Sequence, residues 1–236
     1  MAQNDKPAPA PRPSGDGAVE AFLEAAHNVP AQRPESGRGR LIFALDATMS
    51  RGPMWDLAQS LQAEMFKVAA ELGGLDVQLV YYRGFNECRA SSFVSGGQGL
   101  AALMAKIDVR GGATQIVKVL RHATSEARRA PVGALVFVGD AFEEKADAAL
   151  AAAGELTLVG VKAFMFQEGD DVAAGRVFRE IARLTGGAYS AFDAGAASRL
   201  EALLRAAAAY AAGGRLALER QAERNEAARL LLRQMR

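Results

Sequence analysis

The chain has 236 residues, half of them apolar and 23% charged, with a net charge of +1. That length accommodates one large domain with a well-buried core. The near-neutral balance, with no cluster of Lys and Arg interleaved with aromatics, argues against nucleic acid as a partner. The single cysteine, Cys88, excludes an internal disulfide and fits a reducing compartment.

Residues 1–17 are rich in Pro, Ala and Gly, a composition that predicts a disordered or extended arm. They lack the apolar core of a secretory signal. No run approaches the roughly 18 apolar residues needed to span a bilayer. The cytoplasm is therefore the expected location, with no membrane contact. Ala18 to Asn28 can form a short helix with Val19, Phe22, Leu23 and Ala26 on one face, stopped by Pro30. Val29 to Arg40 carries Pro30, Pro34, Gly37 and Gly39 and reads as a linker.

From Leu41 onward, strand and helix signals alternate. Leu41 to Leu45 is a short apolar run cut off by Asp46, Thr48 and Ser50, the pattern of a fully buried strand. Pro53 to Leu72 has helical spacing, with Pro53 favourable in a first turn and Gly73-Gly74 as its stop. Asp76 to Tyr82 and Glu87 to Val94 read as strands. The four residues between them are too few for a crossover, so these two strands are antiparallel. Helices are expected over Gly99 to Ile107, Gln115 to Arg129, Lys145 to Ala153 and Val172 to Leu184. Strands are expected over Ala134 to Val138, Leu156 to Phe166 and Ala188 to Phe192. A final Ala-rich helix runs from about Ala197 to Ala212. The alternation predicts an α/β three-layer sandwich: a mostly parallel six-stranded sheet, one antiparallel edge strand, and helices on both faces.

Gly213-Gly214 should break the last helix. The segment beyond it mixes charges of both signs, and Leu216, Arg220, Glu223, Ala227 and Leu231 form an only partly apolar stripe. A solvated terminal helix is expected there, supported by Glu-to-Arg pairs; the alternative is helix-mediated association through residues 215–236. The resulting division is an arm over 1–39, a domain over 40–212 and a helical extension over 213–236.

Three segments fall at the carboxyl edge of the predicted sheet, where open α/β sheets bind their ligands: Asp46 to Ser50, Gly111 to Thr114, and Gly139-Asp140. They offer two carboxylates (Asp46, Asp140) and three hydroxyls (Thr48, Ser50, Thr114), with no His or Cys. Such a hard-oxygen set suits Mg²⁺ or Mn²⁺ and suits Zn²⁺ poorly. His27 and His122 lack metal-ligating companions and read as solvated helix residues. Cys88 reads as a small buried residue, and Trp55, Met54, Met65 and Phe66 as packing residues. No phosphate-binding glycine motif occurs.

An Asp-x-Thr-x-Ser at the first strand's end, a Thr in a Gly-containing loop, and an Asp after the fourth strand together resemble the von Willebrand factor A domain. The resemblance covers Arg40 to about Ala211. It implies a metal-ion-dependent adhesion site in which Thr48, Ser50 and Thr114 touch the metal by hydroxyl, and Asp46 and Asp140 touch it directly or through water. It further implies that a Glu or Asp side chain of a partner protein completes the shell. Thr48 stands where Ser is commoner in that family, and Ala141 where Gly is frequent. Phe142-Glu143-Glu144 places an aromatic and two acids beside the site, and Glu143, or in its place Glu144, is expected to occupy the open metal position in the resting protein. The expected function is thus a cation-dependent protein-binding module and not an enzyme, with no catalytic residue named. Two alternatives differ in kind. One is a Mg²⁺-dependent phosphoryl-transfer hydrolase with Asp46 as nucleophile, against which Thr48 stands where such enzymes have a second acid. The other is a structural assembly protein with a vestigial site.

Overall fold

The computed structural model describes residues 37–48, 56–58, 61, 64–65, 67–68, 72, 74–193 and 196–235. The N-terminal arm, its expected short helix, His27, Ser50, Met54, Trp55 and Phe66 lie outside the described residues. Six strands form one sheet in the order β3-β2-β1-β4-β5-β6: β1 Gly39–Asp46, β2 Leu75–Arg83, β3 Glu87–Val94, β4 Ala134–Gly139, β5 Lys162–Glu168 and β6 Ala188–Phe192. All pairs are parallel except β2 with β3, the expected antiparallel edge. The helices are α1 Gly97–Met104, α2 Ile116–Arg129, α3 Ala146–Leu158, α4 Val172–Thr185, α5 Ala197–Ala222 and α6 Glu226–Gln234. In the β1–β2 connection, residues 56–58, 61, 64–65 and 67–68 are helical.

The sheet is covered on both faces, which explains its continuous apolar runs. Leu41, Phe43 and Leu45 of β1 join Val136, Phe164 and Phe166 in a core closed by α1, α5, α6 and the β1–β2 connection. Ile42 and Ala44 join Leu135, Phe137, Ala163 and Met165 in a second core closed by α2, α3 and α4. Helix α4 shows how sequence produces this. Ala174, Val177, Phe178, Ile181, Ala182 and Thr185 recur at helical spacing and are buried. The Asp171 carboxylate accepts the Ala174 N–H at 2.6 Å and starts the helix. The edge strand β3 carries a register shift opposite Gln78–Val80, and the Ser91 hydroxyl accepts the Leu79 N–H there at 3.0 Å.

Three expectations need correction. The segment Leu156–Leu158 is helical, and β5 begins only at Lys162. Leu156 continues the buried face of Ala149, Ala152 and Ala153, and the Thr157 hydroxyl donates back to the Ala153 carbonyl at 2.9 Å. The chain turns at Gly160, whose φ is 76°. His122 is not simply solvated: it is half-buried, with Nε2 2.8 Å from the Gln78 side-chain oxygen.

The third correction concerns the C-terminus. The break occurs at Gly214, whose φ of 68° interrupts α5. A second break follows, where Asn225 accepts the Ala227 N–H at 2.9 Å and caps a separate helix, α6. The apolar side chains are not solvated: Leu218, Ala227, Ala228 and Leu231 are buried in the same core as β1, and Ala217 is buried as well. Gln234 reaches the β6 edge, accepting the Tyr189 N–H at 3.0 Å and donating to the Tyr189 carbonyl at 2.9 Å. Its amide thus satisfies backbone groups that an edge strand would otherwise expose.

Candidate functional site

Strand β1 ends at Asp46, and the chain turns at once. The Asp46 carboxylate accepts the Thr48 N–H at 2.9 Å, a two-residue side-chain turn that Asp favours. Asp46, Thr48 and Thr114 are buried, and Asp140 is half-buried. In the parallel register Leu45 pairs with Val138 of β4, so Asp140 follows β4 at the same edge. A Cβ built on Gly139 would lie 3.7 Å from the Asp46 Cβ. Four of the five expected donors are therefore on one sheet edge.

The Thr114 loop is tied to this edge from both sides. The Arg110 N–H donates to the Ala47 carbonyl at 3.0 Å, and the Ala113 N–H donates to the Gly84 carbonyl at 3.1 Å. Gly112 presses so closely on Gly84 that a Cβ there would meet the Gly84 oxygen at 2.0 Å. Only glycine permits that approach. Thr114 is bonded in turn to the segment after β4. Its N–H donates to the Glu143 carboxylate at 3.1 Å, and its hydroxyl accepts the Glu143 N–H at 2.9 Å. One lone pair of the Thr114 hydroxyl is engaged by this bond, leaving acceptor capacity for a cation. The Glu143 carboxylate, expected at the metal's open position, is here held by the Thr114 N–H.

One residue at this edge escaped the sequence reading, and another has a role there that the sequence did not show. Tyr82, the register partner of Asp46 on β2, is fully buried. Its hydroxyl faces the Asp46 carboxylate without closing a hydrogen bond of good geometry. Burial, with the Asp46, Glu144 and Asp140 charges around it, pushes the phenol well above its ordinary range. The signal was available in principle, because Tyr82 closes the predicted second strand next to the first strand's terminal Asp. The other is Glu144, whose carboxylate accepts the N–H groups of Ile116 and Val117 at the start of α2. Gln115, the local N-cap, makes no capping bond from its side chain. Glu144→Ala is expected to cost about 1–2 kcal/mol, read as a lower urea midpoint with an unchanged slope.

The electrostatics follow from burial. Desolvation lifts the Asp46 carboxyl above the usual carboxylate range, while hydrogen bonding from Thr48 and the facing Tyr82 hydroxyl dipole pull it back and the nearby Asp140 charge adds to the rise. Desolvation also lifts Glu144, against the two helix N–H donors and Lys118. Such an edge holds negative charge at a cost unless a cation is present. Among the described residues, no group of three or more His, Cys, Asp or Glu side chains is placed to hold a metal. The donor set is instead two carboxylates with hydroxyls, which fits a hard cation that keeps part of its water shell. Cys88 is no nucleophile candidate: burial pushes its thiol up to about 11.

No protein-family profile matches the sequence, and no curated protein matches it. Solved structures do. An aerotolerance-related membrane protein from Bacteroides fragilis is 18% identical, with a TM-score of 0.54 over 72% of this chain and 98% of that one. The SpRpn10 VWA domain is 10% identical, with a TM-score of 0.54 over 67% of this chain and 90% of that one. The pilus adhesin SpaC from Lactobacillus rhamnosus GG is 12% identical, with a TM-score of 0.57 over 72% of this chain and only 29% of that one. At these identities the likeness speaks for the fold alone. The protein carries an α/β fold of the von Willebrand factor A type, with a mixed six-stranded sheet between two helical layers. Among the described residues, no helix is long and apolar enough to cross a membrane.

Proposed function

We propose that the protein is a divalent-cation-dependent protein-binding module working in a reducing compartment such as the cytoplasm. In this reading Asp46, Thr48, Thr114 and Asp140 hold Mg²⁺ or Mn²⁺. Ser50, outside the described residues, joins them on the strength of its spacing from Asp46. Bound there, the cation would supply concentrated positive charge for a Glu or Asp side chain of a partner protein.

The observation that carries the reading is the buried Asp46 carboxylate at the rim. It is turned in by the Thr48 N–H, electrostatically coupled to Asp140, and faced by a buried Tyr82 hydroxyl with no well-formed partner among the described protein atoms. A hydrated cation satisfies all three. Enzyme chemistry has less support, since no side chain at this edge pairs a nucleophile with a general base. Thr48 occupies the position where an aspartyl-phosphate hydrolase has its second acid.

Affinity capture on the full chain, read by mass spectrometry with Mg²⁺ and with excess EDTA, checks this. A protein partner is expected to be retained in Mg²⁺, and lost in EDTA and in Thr114→Ala. Equal recovery of the same partner in EDTA would sink the reading.

A further inference from the structure

Four large apolar side chains are markedly exposed among the described residues: Phe85, Leu158, Val172 and Leu216. Single exposed apolar residues are ordinary, but the placement of two of these is not. Phe85, at 87% exposure, and Val172, at 73%, are the most exposed. They follow the carboxyl ends of β2 and β5. In the strand order these flank β1 and β4, so the candidate donors lie between them on the same edge.

Phe85 is not exposed through slackness. The hairpin tip that carries it is clamped from below. The Gln115 amide donates to the carbonyls of Arg83, Gly84 and Glu87 at 3.3–3.4 Å, and Lys118 donates to Asn86. The tip is also fixed relative to Thr114. Phe85 adjoins Gly84, whose carbonyl accepts from Ala113, and Ala113 adjoins Thr114. Two peptide steps and one hydrogen-bonded pair bound the separation of the Phe85 and Thr114 Cα atoms at about 13 Å. An extended partner chain covers that in about four residues. Beside the ring lies a hollow of about 500 Å³ lined by Gly84, Phe85, Asn86, Glu87, Cys88 and Arg89.

Charge is mixed on both sides: Arg110, Lys118 and Asp108 are exposed on the Phe85 side, and Asp170, Asp171 and Arg176 on the Val172 side. In the cation-site reading the cation, and not these side chains, draws an acidic segment to this edge, and the exposed Phe85 ring is the apolar surface fixed beside it.

We propose that Phe85 is an apolar shoulder of the cation site, and that the partner is an acidic segment carrying an aliphatic or aromatic side chain within four residues of its metal-binding carboxylate. This rests on the cation-site reading above and specifies its ligand. The carboxylate provides the metal-dependent contact, and the apolar side chain adds specificity by covering Phe85.

Random linear peptides displayed on phage, selected against the full chain in Mg²⁺ and in parallel against Phe85→Ser, provide the test. Peptides selected on the wild type are expected to share an Asp or Glu with an apolar residue within four positions. Synthetic representatives should lose roughly tenfold in affinity on Phe85→Ser. They should lose the same when their apolar residue becomes serine, with no further loss when both changes are combined. EDTA should abolish binding throughout. Phe85→Ser, at so exposed a position, should melt with the wild type.

Selected acids without an apolar neighbour, or an apolar preference unchanged by Phe85→Ser, would overturn the proposal and leave the cation site standing. Apolar peptides bound equally in EDTA would overturn both. No enrichment overturns this proposal alone if calorimetry still shows Mg²⁺ binding. Concentration-dependent self-association abolished by Phe85→Ser, with no peptide selected, would assign the surface to a second copy and overturn it as well.

Discussion

Replacing Asp46 with asparagine is expected to abolish stabilisation of the protein by Mg²⁺ or Mn²⁺ while leaving the fold intact. A ligand that binds only the folded state contributes about 2.7 kcal/mol at a hundredfold excess over its Kd. For a chain of this size that corresponds to a melting shift of roughly 5–10 °C. The wild type should show the shift and Asp46→Asn should show none. The variant should fold because an asparagine oxygen can still accept the Thr48 N–H, at 2.9 Å from Asp46 in the wild type, and its amide can donate to the Tyr82 hydroxyl. Without metal the variant should be at least as stable as the wild type, since it removes a carboxylate that burial disfavours. The pH dependence has a defined sign. Burial raises the Asp46 carboxyl in the folded state, so its contribution is present below the unfolded value and is lost as pH rises through the folded one. Melts of the metal-free proteins across the carboxylate range should show the wild type losing stability relative to Asp46→Asn as pH rises. With saturating Mg²⁺ the difference should reverse, because the cation binds the charged form. An equal metal-induced shift in both proteins would remove Asp46 from the candidate shell.

The sheet was legible where burial on both faces imposes continuous apolar runs. Leu41 to Leu45 and Ala134 to Val138 lie inside β1 and β4, and the four-residue turn after Tyr82 required an antiparallel β3. Leu156–Leu158 was not legible, because a short apolar run looks the same as a strand or as the end of a buried helix. Tertiary packing of Ala149, Ala152 and Ala153 decided for the helix. At the candidate site, the order of Asp46, Thr48, Thr114 and Asp140 along alternating elements was enough to expect them on one edge. The bonds that set the edge were not visible. Glu144 caps a helix 28 residues before it in sequence, and the reciprocal Glu143–Thr114 pair spans 29. Contacts at such separations leave no local pattern. Tyr82 was hidden by its own suitability for a strand, since its role depends on lying opposite Asp46 in the register.

The largest stability effect is expected at the C-terminus, where Leu231→Ala should cost about 2–5 kcal/mol. That is a melting decrease of roughly 5–15 °C. Leu231 is fully buried, in one core with Leu41, Val136 and Phe164, and its truncation leaves a cavity between α6 and the sheet. Leu216→Ala, only a few residues beyond the Gly214 break, should change stability by less than about 0.5 kcal/mol, because Leu216 is 60% exposed. The contrast separates the two views of this segment: a solvated or partner-seeking helix predicts small effects at both positions. Deleting residues 215–236 should be more severe than either substitution. It removes Leu218, Leu231 and Met235, all buried, and each buried side chain of that size contributes about 1.5–3 kcal/mol. The sum approaches the whole stability of an ordinary domain. It also strips the Asn225 bond to the Ala202 carbonyl and the Gln234 cover from β6. The truncated chain is expected to lose cooperative urea unfolding and to aggregate through the bared β6 edge. A cooperative transition with a wild-type midpoint would return the segment to the status of an appendage, free to bind a partner.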